Sequence, residues 1–277
     1  MELLGLFFIF LFGLCIGSFL NVVIFRLEKE EEIVKKRSYC PRCNQPLAWH
    51  DLVPLISFLW LRGRCRSCGK KISYQYPAVE LATGISFLLV FWNLGFGFWD
   101  LFGYWPLSID YLMNISCWLF FISCLMVIFV YDLKHYLIPD KVLFPAIGLA
   151  IFWRIFLSLE IGRWSFVAGN FLPYLVSALG AFVFFLLIFL ITRGQGMGFG
   201  DVKLVFFLGL LVGWPNILSV LFLAFFIGAV AGILAIFFRG KNLKSQIPFG
   251  PFLIIATVFV IFFGEKFGNW YFSLLGF

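Results

Sequence analysis

Apolar runs of about 20 residues recur from one end of this chain to the other, and that pattern alone excludes most folds. A run of that length crosses the hydrocarbon core of a bilayer, about 30 Å thick, as an α-helix. Lipid offers no partner to backbone N–H and C=O groups, so a run this apolar must satisfy them within itself. Of the 277 residues 62% are hydrophobic and 13% charged, a balance that rules out a water-soluble domain. The pattern predicts an all-α polytopic membrane protein. The first run begins almost at Met1, carries Glu2 where a signal peptide has basic residues, and shows no small-residue cleavage site, so it reads as an anchor.

The net charge of +7 is explained by membrane topology and not by nucleic acid. Eleven of the 21 Lys and Arg fall between Arg26 and Lys71, which places that segment in the cytoplasm. Alternation then predicts about eight transmembrane helices with both termini outside: Leu3–Phe25, Pro77–Phe98, Tyr111–Tyr131, Lys141–Leu157, Phe171–Ile191, a short sixth from Val202 to Gly213, Ile217–Phe238 and Ile247–Phe263. On this reading 18 basic residues lie inside and only Arg154, Arg163 and Lys266 outside. Three parts follow: a first transmembrane helix over 1–25, a cytoplasmic four-cysteine loop over 26–76, and a seven-span membrane domain over 77–277. The sequence shows no internal repeat.

The 26–76 segment is the one stretch able to form a soluble subdomain. It holds Cys40-Pro-Arg-Cys43 and Cys65-Arg-Ser-Cys68, two pairs separated by 21 residues. Four thiolates at this spacing, each pair followed by turn-forming residues, fit a tetrahedral structural zinc site with Cys40, Cys43, Cys65 and Cys68 as ligands. Redox or disulfide chemistry is the competing reading, and a cytoplasmic location opposes disulfides. His50, between the pairs, is either a substitute ligand or a plain loop histidine. Cys15, Cys117 and Cys124 lie in apolar spans, where Cys usually serves as a small buried hydrophobe.

Acids at the membrane edge are the second unusual feature. Gly196-Met-Gly-Phe-Gly-Asp201-Val-Lys203 is a glycine-punctuated turn, with Gly198 and Gly200 supporting an acid between two apolar runs. Its glycines are expected to supply backbone freedom and close approach. Intramembrane carboxylates are costly and read as functional by default. On the same face, Asp132 and Asp140 are candidates for a partner. Asp140 precedes a span and follows Pro139, the position of an ordinary helix N-cap. Asp132 ends a helix, where the macrodipole disfavours an anion, so capping does not account for it. Glu80 sits one turn into the second span, where an acid has a structural use, and Ser18 and Asn21 share a face of the first.

Two carboxylates in one partly dry site share a proton and titrate as a pair, the arrangement of aspartic proteases. Spacing alone leaves open whether Asp132 and Asp201 meet or act separately as helix-end or transport residues. A transporter or channel using both acids as a proton or cation relay is the alternative from another class, and a thiol oxidoreductase is a third.

Taken together, Gly17-Ser-Phe-Leu-Asn21, Cys40-x-x-Cys43, Asp51-Leu-Val-Pro-Leu-Ile-Ser57, Arg62-Gly-Arg-Cys-Arg-Ser-Cys68, Tyr76-Pro77 with Glu80, Asp132 to Asp140, Gly196 to Lys203 and Pro248-Phe-Gly-Pro251 resemble a bacterial type IV prepilin peptidase, in order and from first span to last. The GxGD signature also occurs in presenilin-like proteases, but the cysteine loop and the closing Pro-Phe-Gly-Pro point away from those. The resemblance implies an inner-membrane enzyme that cuts the basic leader from prepilins or pseudopilins at the cytoplasmic face, with Asp132 and Asp201 catalytic. It further implies N-methylation of the new N-terminus with S-adenosylmethionine, linked to the first cytoplasmic loop, although no nucleotide-cradling motif is present.

Overall fold

The computed structural model describes residues 2–32, 37–93, 109–160, 171–194, 196–239 and 248–274. The segments read as outer loops at 99–108 and 161–163, and the inner-loop residues Lys241 and Lys244, lie outside the described residues.

Among the described residues the chain is helical: α1 (Glu2–Lys29), α2 (Ile56–Trp60), α3 (Gln75–Asn93), α4 (Ile109–His135), α5 (Asp140–Glu160), α6 (Leu172–Ile191), α7 (Phe199–Val212), α8 (Asn216–Arg239) and α9 (Gly250–Leu274), with a single 3-10 turn at Trp49–Leu52. Five of them contain stretches long and apolar enough to cross a membrane: Leu4–Lys29, Leu112–His135, Asp140–Ser158, Leu172–Ile191 and Asn216–Ala235. The protein is therefore multi-pass. The chain forms two compact units, Met1–Val127 and Ile128–Phe277, which divide within α4.

In the first unit α1 packs on α3 through small residues. A Cβ on Gly13 would come within 2.7 Å of Gly84 Cα, and one on Gly17 within 2.7 Å of Glu80 Cα, so only glycine lets the two backbones approach this closely. Polar groups secure the same crossing. Asn21 Nδ2 donates to the Tyr76 carbonyl at 3.0 Å, and buried Glu80 accepts the Leu55 N–H at 2.9 Å and interacts with the Ser18 side chain. Glu80 thus ties the soluble segment onto α3. Cys117 and Cys124 are buried as expected, whereas Cys15 is exposed on the surface of α1.

The second unit is centred on α7, in which nine residues from Asp201 to Leu211 are buried. It is apolar nearly all round, the pattern of a helix covered on every side. Gly209 allows the tightest approach, since a Cβ there would lie 2.5 Å from Ala178 Cα on α6. With 14 residues α7 is about 21 Å long, less than the hydrocarbon thickness of about 30 Å, as expected for the short sixth span. Its last carbonyls would be stranded but for Arg154. This buried α5 residue donates from Nε to the Leu210 carbonyl at 3.0 Å and from Nη2 to the Leu211 carbonyl at 2.6 Å. The guanidinium also lies over the Tyr174 ring, 3.4 Å from its centroid.

Arg154, expected among the outer charges, is buried as an internal cap at the end of α7 opposite Asp201, its cation facing the negative end of the helix dipole. Arg154→Met should therefore lower the thermal unfolding midpoint of the solubilised protein, each abandoned carbonyl costing about 1–3 kcal/mol. An unchanged midpoint would contradict this role.

Candidate active site

Asp201 is the third residue of α7. Gly198, the extended N-cap residue, accepts the Asp201 N–H at 3.1 Å, and its own N–H acts on the Asp201 carboxylate. A first-turn acid reaching back to the N-cap is half of a capping box, and it fixes the carboxylate's direction. The expectation for the glycines needs correction. The chain reverses at Arg193 and Gly194, which have φ of 50° and 74°, and Gly196, Gly198 and Gly200 keep ordinary negative-φ or extended backbone. Gly200 matters for packing, since a Cβ there would sit 3.2 Å from Ile138 Cβ. A Cβ on Gly198 would sit 3.7 Å from Asp201 Oδ2, so the absence of a side chain leaves one flank of the carboxylate open.

Asp132 occupies the last turn of α4 and is buried, 4% exposed. An anion at a helix C-terminus is disfavoured, and the compensation comes from another helix. Gly250 opens α9, and its N–H acts on the Asp132 carboxyl group; the following Pro251 has no N–H to offer. Oδ2 of Asp132 nevertheless has no hydrogen-bond partner among the described residues.

Gly250 is also where the two acids meet. A Cβ built on it would collide with Asp132 Oδ2 and lie 3.3 Å from Asp132 Cγ and 3.4 Å from Asp201 Oδ1. One point in space therefore touches both carboxylates, and Asp201, 8% exposed, feels the charge of Asp132 directly. In the sequence, Gly250 stands out only within Pro248-Phe-Gly-Pro251, one of the segments that carry the resemblance. The available signal was a glycine held between two prolines at the start of an apolar run.

Asp140 is not the plain cap expected of it. It begins α5 and pairs with Lys203 Nζ, two residues beyond Asp201, while the same ammonium lies over the Phe144 and Phe199 rings at 5.4 and 5.6 Å.

Residues 11–94 match the Bacterial Peptidase A24 N-terminal domain, and residues 119–233 match the Type IV leader peptidase family. The chain is 31% identical to a protein of Aeromonas salmonicida named prepilin leader peptidase/N-methyltransferase, an alignment that covers 96% of this chain and 94% of that one. Proteins of the same name from Aeromonas hydrophila and Pseudomonas aeruginosa are 34% and 30% identical, covering 95% and 96% of this chain and 92% and 93% of theirs. The chain belongs to the type IV leader peptidase family. No solved structure matches it.

The family's N-terminal domain here contains the four-cysteine cluster. The Sγ atoms of Cys40, Cys43, Cys65 and Cys68 all lie within 4.8 Å of one another. Tetrahedral zinc, with Zn–S about 2.3 Å, needs sulfurs about 3.8 Å apart, so the thiols fit one ion. Each pair sits on the same turn. Cys40 N–H donates to Gln45 O and Asn44 N–H to Cys40 O, and Cys65 N–H donates to Lys70 O and Gly69 N–H to Cys65 O, all at 2.9 Å. Asn44 and Gly69 occupy matching left-handed positions at φ 57° and 67°. A backbone repeat that the sequence did not reveal thus holds the thiols.

Within the cluster the Cys68 and Ser67 N–H groups lower the Cys65 thiol to about 7, whereas Cys43 is raised to about 11, so the case for one ion rests on the closeness of the four sulfurs. His50 is outside the cluster, exposed and 3.7 Å from Asp51, which also accepts from Arg66 Nη2 at 2.8 Å. Purified family member should carry about one zinc per chain by elemental analysis, lost on Cys40→Ser or Cys65→Ser. Metal-free protein with an intact fold and full activity would refute the zinc assignment.

Proposed function

We propose that this chain is a membrane aspartic endopeptidase that removes the basic leader from type IV prepilins or pseudopilins at the cytoplasmic membrane face, with Asp132 and Asp201 as its catalytic residues. The observation that carries the reading is the convergence of both buried carboxylates on Gly250. Two acids this close and this dry hold one proton between them. The ionised member takes a proton from a water as its oxygen attacks the scissile carbonyl carbon, and the protonated member gives its proton to the carbonyl oxygen. The resulting gem-diol collapses when a proton passes to the departing amine and the C–N bond breaks. Gly250 is a positioning residue: its N–H orients Asp132, and its missing side chain leaves the shared space free.

The accompanying topology is an inner-membrane protein of eight spans: a first helix over 1–25, a cytoplasmic loop over 26–76 in which Cys40, Cys43, Cys65 and Cys68 hold a structural zinc, and a seven-span domain over 77–277. A prepilin, with its basic leader preceding a hydrophobic helix, would present its scissile bond at the interface where the two acids lie. The open flank at Gly198 gives an extended substrate backbone access to Asp201.

The relatives' name also includes N-methyltransferase, and we extend it to this chain as methylation of the new N-terminal amine with S-adenosylmethionine. One experiment tests both activities. The purified protein is incubated with a prepilin, with and without S-adenosylmethionine, and the product's N-terminus is weighed by mass spectrometry. A shortened product that gains one methyl group only with the donor is expected. Uncut prepilin would refute the peptidase, and a cut but unmethylated product the second activity.

A further inference from the structure

The soluble segment of the first unit exposes more apolar surface than a water-facing subdomain should. In α2, Ile56 is 61% exposed, Leu59 73% and Trp60 82%. At helical spacing these three share one face, while Phe58 points the opposite way, where its ring contacts Tyr74 at 5.6 Å and covers Gly63. The preceding turn adds Trp49 at 80%. A cluster of this kind marks a binding surface.

Its position identifies what covers it. Leu55, next to Ile56, donates its N–H to Glu80, and the Glu80 backbone lies against Gly17 of α1. Gly17 is inside the apolar stretch Leu4–Lys29, one turn before Asn21, whose amide binds the Tyr76 carbonyl at the start of α3. The base of α2 is therefore level with membrane-spanning helix, not out in bulk water. Exposed Arg62 and Arg64 follow the apolar face directly. An apolar stripe with tryptophans, bordered by arginines and held at this depth, has the chemistry of an interfacial element.

We propose that α2 and the preceding turn form an interfacial foot, inserted among lipid headgroups, that seats the four-cysteine subdomain on the bilayer surface. The partner is the lipid interface itself, so the inference does not depend on the peptidase reading. The apolar side chains enter the acyl boundary, and the arginines remain with lipid phosphates.

The test uses full-length protein in nanodiscs of phosphatidylcholine and phosphatidylglycerol. A solvatochromic amino acid is introduced by codon suppression at position 60, at position 56 as an independent copy, and at position 42 on the exposed side of the first cysteine turn. Positions 60 and 56 should show blue-shifted emission, quenched several-fold by lipids carrying a nitroxide close to the headgroup, while position 42 stays unquenched. Water-like, unquenched emission at both 60 and 56 would overturn the proposal. A blue shift that arises only when a prepilin-like apolar peptide is added, without lipid quenching, would also overturn it and assign the face to a peptide.

Discussion

Asp132→Asn and Asp201→Asn are each expected to eliminate leader cleavage, a loss on the order of 10³-fold or more, while the protein remains folded in the membrane. Neither amide can take or give the shared proton, and each substitution keeps the size of the original side chain, so a folding defect is not the expected cause. Asp140→Asn is the internal comparison. Its carboxylate is half exposed and bound to Lys203, so its removal costs an interfacial ion pair and should lower activity less than about tenfold. The measurement is the rate of prepilin processing in reconstituted vesicles, with the amount of folded enzyme determined in parallel. Normal processing by either the Asp132 or the Asp201 variant would end the two-aspartate mechanism.

Gly250→Ala should have the next largest effect. The added methyl must occupy the point that Asp132 Oδ2 and Asp201 Oδ1 both border, so at least one carboxylate has to move. Displacement of a reacting group by about 1 Å costs roughly 10²-fold, and the loss should appear chiefly in kcat, because the methyl displaces a reacting group. Gly209→Ala is the contrasting variant. Its Cβ would strike Ala178 on α6, far from either acid, and should lower thermal stability more than kcat per folded molecule. Full activity of Gly250→Ala would remove Gly250 from the site.

The sequence revealed those parts of the molecule governed by local chemistry. Apolar runs located most helices to within a few residues, as at Phe171–Ile191 against the observed Leu172–Ile191, although the last helix continues to Leu274, beyond the expected end at Phe263. Paired cysteines signalled their cluster because metal-ligand spacing is written along the chain. Asp132 was separable from Asp140 by the sign of a helix dipole. What stayed hidden depended on contacts between distant segments. The role of Gly250 lies in the absence of a side chain 118 positions beyond Asp132, and the flanking prolines mark only a helix start, not the acids it faces. The capping role of Arg154 stayed hidden because its partners are backbone carbonyls, which carry no sequence signal. Likewise, the glycines of the 196–200 turn suggested freedom of φ, but the left-handed positions belong to Arg193 and Gly194.

Helix α5 holds α7 by two polar pins, Asp140 on Lys203 near one end and Arg154 on the Leu210 and Leu211 carbonyls at the other. Such a helix behaves as a spacer of fixed length. Asp201 is kept about 15 Å along the axis from the anchored carbonyls, at one height and one rotation relative to α5. The Arg154 pin holds backbone carbonyls and so is indifferent to the side chains of Leu210 and Leu211, whereas a single residue inserted between Leu204 and Gly209 would turn Asp201 by about 100° relative to that anchor. The position of Asp201 relative to α5 is thus set by a residue count, and evolution could retune it only by whole turns.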